Sequence, residues 1–265
     1  MQFFHIAKTV EDVHNEMPAF HSHPYYELDF LVKGSRSLFV NSKLFAMKEC
    51  CVAVTAPYEL HKFENHSYSR YLLCVSEEYV SDGIKDFLKM LSESSMLSYQ
   101  EENWKTILKV LKRLLAIYES ADDEKQIKIS LHLGYLFYLM SFDYLSAVPI
   151  VNTVKNTNPL TLRIAAYLKE HVAEQVTLDE LCTKFHISKS WLNKTFNKDM
   201  NCSVIDYHIK LKISQAKYYV RESSIPFNKI AASLGFSSAN YFSIIFKKMV
   251  GVSPQSYRKN WLVNR

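Results

Sequence analysis

The stretch Ile225-Pro226-Phe227-Asn228-Lys229-Ile230-Ala231-Ala232-Ser233-Leu234-Gly235-Phe236-Ser237-Ser238-Ala239-Asn240-Tyr241-Phe242-Ser243-Ile244-Ile245-Phe246 holds two short apolar-periodic runs around a glycine and a serine pair. It predicts a short helix, a tight turn and a second helix. Gly235 supplies a positive φ in the turn at little cost. A similar unit lies upstream, in Val176-Thr177-Leu178-Asp179-Glu180-Leu181-Cys182-Thr183-Lys184-Phe185-His186-Ile187-Ser188-Lys189-Ser190-Trp191-Leu192-Asn193-Lys194-Thr195-Phe196. Ser188 and Ser237 are expected to cap the second helix of each unit by accepting main-chain N–H groups. A helix presented in this way can enter the major groove of DNA.

Working outward, Cys182 and Ala231 are small where the two helices of each unit must pack closely. Trp191, Phe196, Phe236, Phe242 and Phe246 are expected to anchor the second helices to a core. The residues left facing outward are polar. They are Lys189, Ser190, Asn193, Lys194 and Asn197 in the first unit, and Ser238, Asn240, Tyr241, Ser243 and Lys247 in the second. Asparagine suits a two-bond contact with adenine, and lysine suits guanine or phosphate. Between the units, about Ser203 to Arg221, Ile205, Ile209, Ile213, Ala216 and Tyr219 predict an amphipathic helix. At 1.5 Å per residue such a helix is roughly 28 Å long. It would set the two units about one DNA turn apart, near 34 Å.

These residues resemble a known family. Ile230-Ala231, Leu234-Gly235-Phe236, Tyr241-Phe242-Ser243, Phe246-Lys247-Lys248, Gly251-Val252-Ser253-Pro254 and Tyr257-Arg258 resemble the DNA-binding domain of AraC/XylS-type regulators. The resemblance covers about Pro159 to Arg258. It implies an all-α domain of seven helices with two helix-turn-helix units joined by a central helix. It also implies transcriptional regulation, usually activation. The sequence departs from the family pattern at Ile244, where arginine is usual, at Cys182, where alanine is common, and at Asn201, where glycine is common.

Charge is distributed to match. The 265 residues carry 32 Lys+Arg and 27 Asp+Glu, a net +5. From Pro159 onward there are 16 basic and 7 acidic residues, whereas residues 1–158 hold 16 and 20. One part is therefore suited to a polyanion and the other is not. Five cysteines without a C-x-x-C pair fit a reducing compartment. Adjacent Cys50 and Cys51 read as strand residues on opposite faces. No run approaches the length needed to span a bilayer, and the start lacks the pattern of a secretory signal. A cytoplasmic protein without a membrane partner is expected.

Residues 1–80 are β-prone. Tyr25–Val32 and Ser37–Val40 flank a turn signal at Lys33-Gly34-Ser35; Cys50–Val54 and Ser69–Val75 are further strands. His21-Ser22-His23, Glu27 and Gly34, then Pro57 and His61-Lys62-Phe63-Glu64-Asn65, resemble the two cupin motifs. In metal cupins the equivalents of His21, His23, Glu27 and His61 bind one metal, and imidazole with carboxylate suits Fe, Mn, Ni or Zn. Sensor domains of AraC-type regulators often keep this pattern, with the histidines lining a ligand pocket or bonding within the barrel. His21, His23, Tyr25, Glu27 and His61 are assigned to ligand binding here, with no metal and no cofactor expected. Phe20, Tyr26, Phe30, Phe39 and Tyr58 are pocket or barrel-core residues.

From Ser81 the period becomes helical. Ile84, Phe87, Leu88 and Leu91 form one stripe, Trp104, Ile107, Leu108, Leu111, Leu114 and Leu115 another, and Glu124–Tyr144 a third, nearly all-apolar segment. Leu108, Leu111, Leu115 and Tyr118 suit a dimerisation surface or an internal helix contact. The expected class is α+β with two domains. Residues 1–80 form a cupin-like β-barrel with a helical extension at 81–146. A linker at 147–158 leads to the all-α DNA-binding domain at 159–265. The expected function is a promoter-binding transcription regulator, an activator working with RNA polymerase, not an enzyme, and a homodimer controlled by a small molecule such as a sugar. Two alternatives stay open: a metal-dependent cupin enzyme with a DNA-binding tail, and an architectural DNA protein. No Gly-rich phosphate loop or nucleophile elbow occurs.

Overall fold

The computed structural model describes residues 3–11, 19–144 and 157–263. The N-terminal region holds six strands: β1 (Phe4–Glu11), β2 (Tyr26–Val40), β3 (Lys43–Met47), β4 (Cys51–Thr55), β5 (His61–Val75) and, after the first helix, β6 (Met96–Ser98). They form one antiparallel sheet in the order β1-β5-β2-β4-β6, with β3 also on β2. Among the described residues this path is open, and no pairing joins its two ends.

β2 and β5 are the long strands, 15 residues each. The turn expected at Lys33-Gly34-Ser35 is not a turn. The chain continues as one strand, and the pairing with β5 slips between Leu31 and Lys33 and between Gly34 and Arg36. Gly34, at φ 89°, absorbs the irregularity, as glycine in a strand interior commonly does. The reversal into β3 comes instead at Asn41 and Ser42, both with positive φ. Asp29 is fully buried in β2, where Arg36 and Arg70 pair with it. A buried carboxylate needs such partners. Cys51 opens β4, whereas Cys50 precedes the strand with φ 64°. The pair is therefore a turn residue and a strand residue, not two strand neighbours.

Three helices pack on this sheet: α1 (Asp82–Ser94), between β5 and β6, then α2 (Glu101–Glu119) and α3 (Lys125–Tyr144). Leu88, Leu91, Trp104, Ile107 and Leu111 share one hydrophobic core with Phe30, Val52 and Leu73 of the sheet. β6 returns to pair with β4. The change of element type near Ser81 thus falls inside a single core. Leu111 is buried there, and Leu108, Leu115 and Tyr118 pack against it. The stripe assigned to dimerisation is spent within the chain. What stays exposed is a different stripe, on α3: Ile127, Leu131, Tyr135 and Tyr138, followed by Phe142.

The linker expected at 147–158 lies outside the described residues except for its last two. Asn158 accepts a hydrogen bond from the Leu160 N–H at 2.9 Å and caps α4 (Pro159–Glu170). Then come α5 (Leu178–Phe185), α6 (Lys189–Met200), α7 (Val204–Glu222), α8 (Phe227–Ser233), α9 (Ala239–Val250) and α10 (Pro254–Val263). From α4 on, the described residues hold seven helices. Ile164, Leu168, Leu192, Phe196 and Tyr207 make the core of the first unit. Ile213, Val220, Ile230, Phe242 and Phe246 make that of the second.

α7 does not bury the stripe expected of it. Ile205 is exposed and Ile209 and Tyr219 are half-buried. Of that stripe Ile213 and Ala216 are buried, and so are Tyr207, His208, Leu211, Lys212, Ser214, Val220 and Arg221, distributed around the helix. The reason is that α7 has neighbours on several sides. Both helical units pack on it, and so does the N-terminal region, where Phe20 packs edge-on against Tyr207 at 5.1 Å.

Candidate functional site

The two helix pairs α5/α6 and α8/α9 are built from local signals. Thr177 and Glu180 close a reciprocal capping box on α5, with bonds of 2.7 and 3.2 Å. α5 ends on His186 in the left-handed region, and Ser188 then caps α6 by accepting from the Trp191 N–H at 3.1 Å. In the second unit Gly235 has φ 65°. A Cβ there would stand 2.1 Å from the Ala173 carbonyl oxygen. Glycine is therefore required by both conformation and space. The cap of α9 is Ser238, not Ser237: its hydroxyl accepts from the Tyr241 N–H at 3.1 Å. The two serines are adjacent, so composition alone did not separate them.

Phe196, Phe242 and Phe246 are fully buried and hold α6 and α9 in place. Lys189, Ser190, Asn193, Lys194 and Asn197 are exposed on α6. Lys189 reaches back to Asp179 at 2.7 Å. In the second unit Asn240, Tyr241 and Lys247 are exposed. Ser238 is occupied in the cap, and half-buried Ser243 donates to the Ala239 carbonyl at 2.8 Å. The second reading face is thus poorer in available polar groups than the sequence suggests, and exposed Ile244 adds an apolar position.

A residue that motif reading missed ties the units together. Lys212 on α7 is buried, and its ammonium donates to the Glu174 and Leu234 carbonyls at 2.8 Å and to Gly235 at 3.3 Å. Burial pushes its pKa down. Lys212 joins the segment before α5 to the turn before α9. Arg258 on α10 does a related job, donating to the Val220 and Ile225 carbonyls at 2.9 and 2.8 Å. Only an interior lysine in an amphipathic helix hinted at the first.

The second constellation is in the N-terminal region. His21 and His61 exchange main-chain hydrogen bonds in an isolated bridge at 3.0 Å. That contact brings His21, His23, Glu27 and His61 together, with one ligand atom of each lying within 4.8 Å of the others. His23, Glu27 and His61 are buried and His21 is on the rim. Tyr25 stacks flat on His23, ring centres 4.2 Å apart. Burial raises the Tyr25 phenol to about 12, so it stays a neutral hydrogen-bond donor. Burial also opposes the Glu27 charge, but the hydrogen bond with His23 and the field of His61 outweigh it and hold the carboxyl near 2. Burial lowers His61 to about 3, so this ring is neutral at ordinary pH.

The donor set fits a metal. The Nδ1 atoms of His21, His23 and His61 each bond a main-chain carbonyl, of Ala19, Tyr25 and Glu59, at 3.1, 2.9 and 2.8 Å. A carbonyl only accepts, so each Nδ1 carries the proton. This leaves each Nε2 to face the cluster. Such second-sphere bonds are how metal-binding imidazoles are usually oriented. The Nε2 of His61 is buried and has no hydrogen-bond partner among the described residues. Of the other expected pocket aromatics, Phe30 packs toward Trp104 in the core, Phe20 and Phe39 pack on Tyr207, and Tyr58 packs on Tyr218.

Two capped helix-turn-helix units on one basic, seven-helix body define a DNA-binding protein of the double helix-turn-helix class. Residues 181–260 match the family model described as a helix-turn-helix domain. An uncharacterized HTH-type transcriptional regulator of Bacillus subtilis, YfiF, is 22% identical over 251 residues, covering 90% of this chain and 78% of that protein. The HTH-type transcriptional activator RhaR of Cronobacter sakazakii is 34% identical over 84 residues, 32% of this chain and 30% of that activator. The solved C-terminal domain of AraT, a response regulator from Geobacillus stearothermophilus, aligns at 26% identity with a TM-score of 0.39, over 40% of this chain and 88% of that one. Residues 181–260 thus carry a helix-turn-helix domain, and the chain is similar over most of its length to an HTH-type transcriptional regulator. No helix among the described residues is long and apolar enough to cross a membrane.

Proposed function

We propose that this regulator binds double-stranded promoter DNA through α6 and α9 and responds to a small polar effector, such as a sugar, taken up by the cupin-like N-terminal region. The observation that carries the reading is the pair of capped helices, each anchored by buried phenylalanines with a polar face turned outward. Lys189, Ser190, Asn193, Lys194 and Asn197 make the principal base and phosphate contacts; Asn240, Tyr241 and Lys247 supply the second set. Ser238 and Ser243 act through their helix rather than by touching bases. His21, His23, Tyr25, Glu27 and His61 form the effector pocket. Residues 1–80 with 81–146 make the sensing part, and 159–265 the DNA-reading part. The regulator works in the cytoplasm as an activator that recruits RNA polymerase.

A second copy of the chain completes it. The exposed α3 stripe of Ile127, Leu131, Tyr135, Tyr138 and Phe142 is uncharged and at least half exposed at every position. Its spacing of mostly four residues places it on one face, which suits a matching helix from a symmetric partner.

Selection of bound fragments from random DNA by the full-length protein, followed by gel-shift titration, tests the reading. Asn193→Ala is expected to cost about 1–3 kcal/mol at one site position and to relax specificity there. Equal weakening on every sequence would reduce Asn193 to a phosphate contact. Binding without sequence preference, governed by salt alone, would fit an architectural protein instead.

A further inference from the structure

The helices α6 and α9 can be laid over one another from their caps. Each has 12 residues, and Ser188 and Ser238 each accept from the N–H three residues on. Four and eight residues past the cap stand the buried anchors, Leu192 and Phe196 in α6, Phe242 and Phe246 in α9. Equal spacing from cap and anchors puts matching positions at matching places on the outward face. Six residues past the cap the two helices differ in kind. There α6 presents Lys194, an exposed ammonium, and α9 presents Ile244, 57% exposed.

The core does not account for Ile244. Its neighbour Ile245 turns inward and packs on the core of the second unit, and Ile244 lies outside that cluster. On a helix the residues three and four positions away surround a side chain. Around Ile244 these are Asn240, Tyr241, Lys247 and Lys248, and all four are exposed. The isoleucine therefore stands at the middle of the outward face, ringed by polar and basic groups. The ring suits a polyanion, and its centre offers no hydrogen bond. Ser243 beside it does not supply one, because its hydroxyl is bonded to the Ala239 carbonyl at 2.8 Å.

In the major groove the apolar group a base pair presents is the C5-methyl of thymine. An isoleucine pressed on guanine or cytosine would instead cover O6, N7 or the N4 amino group without a partner, at the full cost of their lost water. A β-branched side chain in a helix keeps one rotamer, so the shape it presents is fixed. We propose that Ile244 is the specificity-determining residue of the second unit: it seats against the methyl group of a thymine and makes that position of the operator thymine-dependent. Lys247 and Lys248, one turn on, hold the flanking phosphates. At the matching position of the first unit Lys194 requires an acceptor, a guanine edge or a phosphate. The two units thus take different partners from the same place on their helices, so one chain lies on its site in one direction only. The inference rests on the DNA binding proposed above for α9 and names what one exposed apolar position of that helix recognises.

The test uses the full-length protein and a site selected from random DNA. Each thymine of that site is replaced in turn by deoxyuridine, which removes the methyl group and keeps every hydrogen-bonding edge. Gel-shift titration of the wild type is expected to show one position per bound chain where uracil weakens binding about fourfold, the burial of one methyl group. Ile244→Ala is expected to bind the thymine site at least as weakly as the wild type binds the uracil site, and to be indifferent to uracil at that position. The side chain is exposed, so the variant keeps the wild-type circular dichroism. Uracil tolerated at every position by the wild type would overturn the inference. So would a uracil loss of equal size in Ile244→Ala, which would assign the effect to DNA shape. The two proposals fail separately: no site enriched from random DNA sinks the DNA-reading function and Ile244 with it, whereas an enriched site that tolerates uracil sinks the role of Ile244 alone.

Discussion

Gly235, Ala173 and Lys212 meet at one point, and each is there because the others leave no alternative. The positive φ of Gly235 and the 2.1 Å approach of a hypothetical Cβ to the Ala173 carbonyl exclude every other residue. The same approach exposes carbonyls that need a donor, and Lys212 supplies it. The serine pair is a finer case. Ser238 caps α9 while its neighbour Ser237 is exposed. Ser238→Ala is expected to destabilise the second unit by about 1 kcal/mol. Ser237→Ala should change stability by a few tenths at most. Urea unfolding of the two variants side by side decides it, and the reverse ranking would move the cap back to Ser237. The need for a cap was legible in the sequence. Which serine meets it depends on where the turn ends, a matter of one residue's ψ.

At the scale of elements, α7 shows what a periodicity argument misses. Its aliphatic positions pointed to one buried face, yet the helix is enclosed on several sides and buries His208, Lys212, Ser214 and Arg221 along with its apolar residues. Each of those polar groups finds a main-chain acceptor in another element. Burying a charge is tolerable only with such partners. Lys212→Met keeps the bulk and removes the donor. It is expected to cost about 1.5–3 kcal/mol, the usual range for hydrogen bonds to a charged group. Gel shifts should also show weaker binding to two-site DNA with little change at a single half-site, since Lys212 fixes one unit against the other. Equal losses on both DNAs would mean that Lys212 serves stability alone. β2 makes the complementary point: Gly34 read as a turn because a single strand of 15 residues with a bulge looks, locally, like two strands and a loop.

For the molecule as a whole, the sheet and the helices α1–α3 form one body, with α4–α10 packed against it through Phe20, Phe39 and Tyr207. The apolar stripe on α2 vanishes into that body, and the one on α3 remains. Leu131 is 68% exposed at its centre. If a second copy covers this stripe, Leu131→Glu is expected to convert a dimer into a monomer in light scattering without loss of helical content. A wild type that is monomeric at high concentration would remove the dimer from the proposed function. The succession of strands and then helices, the charge division and the two helix-turn-helix units could be read directly from the chain. They depend on capping residues, helical spacing and local composition, which act over a few residues at a time. Tertiary structure alone decided which apolar stripe is internal, and that Lys212, Lys217 and Arg221 are structural cations rather than surface charge. Those outcomes rest on contacts between residues 20 to about 200 positions apart, and no local pattern encodes the direction in which a folded chain returns upon itself.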